Sequence, residues 1–302
     1  MNQADYDKVV AKRQELINIY IENMLIGGEC IYKGFYYDVI LDDIIVTGIQ
    51  SDNVVKYNKL VIPPEFTGLS SNENFRQQLE SLPIKRIDLG LVNRCTDIIN
   101  LEGLEEVTGE AVLSVANAAF ANNHTLKKVD FPNLEQLAPR AFYLCTALES
   151  VELNHLQIMG KEGFAGCSSL RSVRMENLSF LNVDSSGAFM GCTALKTVDL
   201  SKAVWIQTKL FEGCNSIENL NLPNVQLIDT LAFNGCLNLK TVRFAYLRHI
   251  AENAFLNCAN LSIVNYDGTE DNFAQIEIVC DNELNLFKKA KIVYNYKPAQ
   301  KQ

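Results

Sequence analysis

Nine cysteines and three histidines are the residues of this 302-residue chain whose types could carry chemistry. Thiolates ligate soft metals, pair as disulfides or attack electrophiles, and an imidazole serves as base or ligand. Spacing decides among these. Cys30, Cys95, Cys145, Cys167, Cys192, Cys214, Cys236, Cys258 and Cys280 are never closer than 22 residues. There is thus no CxxC pair, the usual skeleton of a zinc or redox site. From Cys145 onward the spacings are 22, 25, 22, 22, 22 and 22. The cysteines mark a period. His124, His155 and His249 fall at three different phases of it, so they form no ladder of ligands.

Other chemical signatures are missing. The sequence holds no His-Glu-x-x-His, no Gly-x-Ser-x-Gly and no glycine-rich phosphate loop. Gly160-Lys161 resembles the end of a nucleotide loop, but His155 stands where that loop needs glycine. The reading predicts no catalytic residue, no metal and no cofactor. Cys30 and Cys95, outside the regular run, are read as small buried hydrophobes rather than reactive thiols. The sequons at Asn123, Asn177 and Asn260 arise readily by chance and carry no weight.

The period extends to other columns. Phe142, Phe164, Phe189, Phe211, Phe233 and Phe255 each precede a phased cysteine by three residues. After each cysteine come Leu148, Leu170, Leu195, Ile217, Leu239 and Leu261, then Val151, Val173, Val198, Leu220, Val242 and Val264. Leu153, Met175, Leu200, Leu222, Phe244 and Tyr266 close the pattern, and Phe120, Leu126, Val129 and Phe131 join it with Asn123 in the cysteine's place. Pairs such as Val151 and Leu153 alternate with polar residues, as a strand with one buried face does. Phe-x-x-Cys puts two side chains on one face of a helical turn. A second apolar pair follows, at Leu134/Leu137, Leu178/Leu181, Val225/Ile228 and Leu247/Ile250. One such unit cannot bury its apolar face alone, so units must stack into a solenoid.

The string Ala-Phe-x-x-Cys-x-x-Leu-x-x-Val-x-Leu, at residues 141–153 and 188–200, resembles the leucine-rich repeats of the BspA-like class. Ile45 to Gly48 with Leu60 to Pro63 resembles that family's irregular first repeats, and residues 266–294 resemble its closing segment. The resemblance implies an α/β repeat solenoid. Its expected form is a right-handed leucine-rich-repeat horseshoe with short parallel strands, short helical turns and an N-terminal helical cap. The expected parts are an N-terminal helix over 1–28, irregular first repeats over 29–110, regular repeats over 111–266 and a C-terminal cap over 267–302.

Three departures from the period are expected to matter. Residues 90–119 break the period and skip a rung, and Gly109 to Asn122, with Ala111, Val112, Val115, Ala118 and Ala119, predicts an inserted amphipathic helix. The unit from Phe164 is lengthened by the turn cluster Asp184-Ser185-Ser186-Gly187. Residues 4–25 predict a lone helix ended by Gly27-Gly28. For the phased cysteines, neighbouring strands about 4.8 Å apart would permit disulfides. Helical segments packing roughly 8–10 Å apart would not, and the cysteines are assigned to that side, as buried packing.

A net charge of −9 excludes broad phosphate-backbone binding, and no apolar run approaches 18 residues. What remains is a surface. The outward strand residues form a ladder expected on the concave face: Arg86/Asp88, Lys128/Asp130, Ser150/Glu152, Ser172/Arg174, Thr197/Asp199, Asn219/Asn221, Thr241/Arg243 and Ile263/Asn265. It mixes signs and hydroxyls and lacks aromatic anchors, so a merely solvated face is the rival reading. Trp205 is expected as a half-buried lid beside Ile206. The expected function is non-enzymatic binding of a protein partner, with adhesion to a host or cell-surface protein implied by the resemblance, as is a bacterial origin. The alternative is a building block that self-associates through the solenoid ends. Met1 to Asn18 lacks a basic segment followed by a clean apolar core. The expected compartment is therefore the cytoplasm, or the cell surface by another route or after removal of a leader.

Overall fold

A strand of three residues with one apolar side chain is stable only when the same strand lies above and below it. Val129 is buried between exposed Lys128 and Asp130, and this pattern recurs at Val151 between Ser150 and Glu152. The computed structural model describes residues 3–26, 31–33, 35–40, 43–50, 55–56, 59–90, 92–96, 99–174, 184–279 and 286–297. Cys30, Cys280, Gly27-Gly28, Met175, Leu178, Leu181 and the sequon at Asn177 lie outside these residues.

The chain forms a solenoid of stacked units. A long front sheet runs, in spatial order, through Val55–Lys56, Lys59–Val61, Arg86–Asp88, Glu106–Thr108, Lys128–Asp130, Ser150–Glu152, Ser172–Arg174 and Thr197–Val198. All its pairs are parallel except the first. A short front sheet continues with Asn219–Leu222, Thr241–Phe244, Ile263–Tyr266 and Lys291–Val293, all parallel. The second apolar pair of each unit forms a side ladder: Arg94–Cys95, Ser114–Val115, Gln136–Leu137 and Ile158–Met159 in one group. Trp205–Ile206, Leu227–Ile228, His249–Ile250 and Glu277–Ile278 make the other.

The back of each unit is a chain of tight turns, not a helix. Cys145 N–H donates to Phe142 O in a three-residue turn, but Arg140 and Leu144 both adopt positive φ, at 57°, which stops helical propagation. The turns then hydrogen-bond from unit to unit as strands do: Arg140 N–H to Lys161 O, Phe142 N–H to Gly163 O and Leu144 N–H to Ala165 O. The phenylalanines stack as a result. Successive centroids from Phe120 to Phe255 are 5.1, 5.2, 5.6, 5.5, 5.6 and 5.2 Å apart, and Phe287 closes the column 5.0 Å from Phe255. Each buried ring contributes about 1.5–3 kcal/mol from burial alone.

Two expectations are corrected here. Gly109 to Asn122 is an ordinary unit, with strand Ser114–Val115 and a turn through Ala118 and Asn122, both at positive φ. No helix is inserted. The skipped rung also exists, as Glu106–Thr108 with Leu104 and Val107 fully buried. The lengthened unit keeps its phase because buried Ser185 bridges its neighbours: its Oγ donates to Met159 O (2.8 Å) and its N–H to Gln207 Oε1 (2.6 Å).

The N-terminal helix spans Gln3–Ile26, buries Val9 and Leu16, and lies against the antiparallel hairpin Phe35–Ile40 and Asp43–Ile49. Arg13 fixes it by donating to Glu65 O (3.1 Å) and Pro64 O (3.0 Å), and Tyr37 Oη donates to Leu16 O (3.2 Å). At the other end Thr269 caps the short helix Glu270–Phe273 in a reciprocal capping box.

Candidate binding faces

The phased cysteines from Cys145 to Cys258 occupy the back of the solenoid and are buried thiols. Each donates its S–H to the carbonyl of the phenylalanine one unit earlier: Cys145 to Phe120 (3.1 Å), Cys167 to Phe142 (3.1 Å), Cys192 to Phe164 (3.2 Å) and Cys214 to Phe189 (3.1 Å). Cys236 to Phe211 (3.3 Å) and Cys258 to Phe233 (3.1 Å) repeat the contact. The packing assignment stands, but the distance argument behind it does not. The back turns are spaced like strands, and what holds the thiols apart is a hydrogen bond apiece. Burial pushes the Cys192 and Cys258 thiols up to about 12, and raises Cys95, Cys167, Cys214 and Cys236 as well. Thiolate chemistry is suppressed there.

The histidines stand apart, as their phases implied. His124 Nδ1 is 3.2 Å from Thr146 Oγ1, His155 Nδ1 3.2 Å from Pro132 O, and His249 Nδ1 3.0 Å from Glu277 Oε2. Among the described residues no three His, Cys, Asp or Glu side chains are grouped to hold a metal ion. No helix among them is long and apolar enough to cross a membrane.

The front sheets do bring the ladder residues together. Pairing sets Arg86, Glu106, Lys128, Ser150, Ser172 and Thr197 in one row, and Asp88, Thr108 and Asp130 in the next. Glu152 is paired with Arg174, and Asp199 is exposed just past its strand. On the short sheet Asn219, Thr241 and Ile263 form one row, and Asn221, Arg243 and Asn265 the other. Glu106 and Thr108 are the rung that the sequence reading missed. The signal was present, since Leu104 and Val107 stand 22 residues before Leu126 and Val129.

On the long sheet the ladder is laced by charge. Lys59 meets Asp88 at 3.1 Å, Lys128 meets Glu106 at 2.9 Å, and Arg174 lies 3.6 Å from Glu152. Beside it Glu105 takes both Lys85 (2.9 Å) and Lys127 (3.0 Å), whose hydrogen bonds hold its carboxyl below the usual carboxylate range. The hydrogen bond that Lys128 donates to Glu106 likewise raises Lys128. Exposed pairs of this kind are each worth about 0–1 kcal/mol, so they order the face more than they stabilise the fold. An open groove of about 690 Å³ lies over Lys128, Asp130, Ser150, Glu152, Asn154 and His155. Nothing among the residues lining it pairs a nucleophile with a base.

Trp205 begins the strand Trp205–Ile206, half-buried as expected, and its indole N–H is buried without a hydrogen-bond partner among the described residues. It sits on the side ladder, away from the front face.

The model of the BspA type leucine-rich repeat region matches residues 99–204 and 182–282, in six copies. A leucine-rich repeat protein from Bacteroides ovatus has a similar solved structure, with 18% identity and a TM-score of 0.54, covering 87% of this chain and 70% of that one. The T. pallidum leucine-rich repeat protein is similar at 20% identity and a TM-score of 0.41, covering 78% and 91%. The search of curated proteins gave no significant match.

Proposed function

Because the chain belongs to the BspA-type leucine-rich repeat family, we propose that it is a non-enzymatic scaffold that binds a partner protein through its front face, in the manner of an adhesin. The observation that carries this reading is the long front sheet. Charges of both signs lie at its surface, held in fixed register on a stacked core. A rigid face of this kind loses little entropy on association, and a patterned charge ladder selects partners and speeds their encounter. Glu152 and Arg174 are the most exposed pair on it, with side chains 67% and 71% accessible. The unpaired buried thiols suit a reducing or anaerobic setting.

The test is affinity capture from native lysate and host extracts, with wild type beside Glu152→Arg/Arg174→Glu. The swap keeps the internal pair and its negligible contribution to stability but inverts the pattern that a partner reads. A captured protein should be lost by about tenfold or more, the order expected when like charges replace complementary ones. Unchanged capture moves the site off this sheet.

A second reading, self-association through the ends, is favoured by one feature. Strand Lys291–Val293 pairs only with Ile263–Tyr266 among the described residues, leaving a sheet edge open. Light scattering that shows a monomer at high concentration eliminates it.

A further inference from the structure

We propose that the outer face of the short front sheet is a binding site for a neutral oligosaccharide. On this face Thr241 Oγ1 donates to Asn219 Oδ1 at 2.5 Å, and Arg243 Nη1 donates to Asn221 Oδ1 at 2.9 Å. Both amide oxygens are thereby held, and both asparagines are exposed. Their Nδ2 groups have no acceptor among the described residues, so two fixed pairs of N–H donors face solvent on one strand.

Ionic groups here are closed on one another except Lys291, exposed and in register with Ile263 on the last strand. Arg243 grips Asp267 through both Nε and Nη2 and lies over the Tyr296 ring at 6.0 Å, while Lys240 meets Glu218 at 2.8 Å. The next rung places Ile263 in register with Thr241. The surface therefore sets amide donors at Asn219 and Asn221 against the half-buried aliphatic Ile263, with a lone charge, Lys291, at its far edge. A pyranose ring has the same character, with hydroxyls at its rim and an apolar C–H face. One sugar unit is also about as long as the strand spacing of about 4.8 Å, so successive sugars meet successive rungs.

An aromatic residue follows the strand Thr241–Phe244 of this sheet by two positions. Tyr246 is 64% exposed. Three of its counterparts in other units, Asn133, His155 and Asn224, reach back to the preceding unit's main chain at Glu110 O (2.8 Å), Pro132 O (3.2 Å) and Ser201 O (2.6 Å). Tyr246 departs from that structural duty and offers its ring to solvent, where a sugar's C–H face would stack on it. The long front sheet is a poor competitor for such a ligand, because covering its carboxylates and ammonium groups with a neutral chain leaves them desolvated.

The proposal is tested by saturation-transfer NMR on the full chain. The probes are neutral linear hexasaccharides of β-linked glucose, β-linked N-acetylglucosamine and α-linked mannose, with a sulfated hexasaccharide beside them. At least one neutral probe should receive saturation and shift the side-chain amide signals of Asn219 and Asn221. Asn221→Asp keeps the acceptor for Arg243 but removes the donors, and Tyr246→Ala removes the platform. Each should weaken binding about tenfold, the worth of one well-placed polar or stacking contact. Glu152→Arg/Arg174→Glu should leave sugar binding unchanged, which separates this site from the protein-binding face. No transfer to any neutral probe, transfer to the sulfated probe alone, or equal binding by wild type and both site variants overturns the proposal.

Discussion

The two front sheets are made from the same unit and differ in what they show to solvent. Behind both runs one column of stacked rings and thiols, and at the junction the column does not falter. Phe189 N–H donates to Leu210 O at 3.0 Å, Gly191 N–H to Glu212 O at 2.7 Å, and the rings of Phe189 and Phe211 are 5.5 Å apart. In front, no pairing among the described residues joins Thr197–Val198 to Asn219–Leu222. The split follows the unit that carries three extra residues. The back therefore carries continuity, and the front is free to vary: charges in register on one side of the split, amides and a tyrosine on the other. In a solenoid, fold and recognition are assigned to opposite walls.

The sharpest way to break this comparison is to remove the wall that both sheets share. Phe189→Ala at the junction should cost about 3–5 kcal/mol, the usual loss for a buried ring. Stability in stacked repeats is a sum of unit and interface terms. Weakening an interface without front pairing among the described residues should therefore separate urea unfolding into two steps, each with a smaller m value. A single transition of unchanged m would show that the back column is not what couples the two sheets.

The thiols sharpen it through pH. A thiol whose folded pKa lies above its unfolded value near 9 binds a proton in the native state that the unfolded chain has released. Its stabilisation is complete below pH 9 and is lost as pH rises toward the folded value. The raised thiols lie on both sides of the junction: Cys95, Cys167 and Cys192 before it, Cys214, Cys236 and Cys258 after it. Each should steepen the decline by up to about 1.4 kcal/mol per pH unit above pH 9. Urea midpoints between pH 8 and 10 measure the slope. In the Cys214→Ala variant the slope should flatten by one thiol's share, and an unchanged slope would mean that the column does not stay protonated. The seven buried thiols should also resist a thiol reagent at pH 8 until urea is added.

How much of this was legible beforehand differs by wall. The back column could be read almost residue by residue, because a position between two identical rings accepts few side chains. What misled was the turn. Phe-x-x-Cys has helical spacing, yet left-handed residues such as Arg140 and Leu144 turn the chain into a laterally bonded ribbon. That changed the spacing from helix-like to strand-like. Similarly Val112, Val115 and Ala119 satisfy a helical period, but all three are buried at different places along a strand and turn. The rung at Glu106 was hidden because Gly109 stands where other units carry Phe131 or Leu153. On the front the outward residues were identifiable by alternation alone. Their partners were not, since Lys128 with Glu106 and Arg243 with Asp267 depend on register across units. The break between the sheets left no mark at its own rung, for Thr197 and Asn219 are a regular 22 residues apart.

The smallest effect tests whether the shared back is tuned by backbone conformation. Gly191, Gly213 and Gly235 hold φ at 73°, 73° and 71°, each over the glycine or turn below. A methyl group added at Gly213 would meet only Gly191 at 3.8 Å, an ordinary contact. Gly213→Ala should therefore lose about 1–2 kcal/mol purely from forcing an L-residue into the left-handed region. The converse site is Lys209, a non-glycine at φ 58°, at the phase where the lengthened unit already has Gly187 at 64°. Lys209→Gly relieves the same strain, gives back about 0.5–1 kcal/mol in unfolded-chain entropy, and gives up a loose 3.6 Å contact with Glu212. A net gain of about 0.5 kcal/mol in thermal or urea unfolding is expected. If both substitutions move stability in the same direction, side-chain packing rather than φ governs the turns. The uniformity of the back wall would then need another cause.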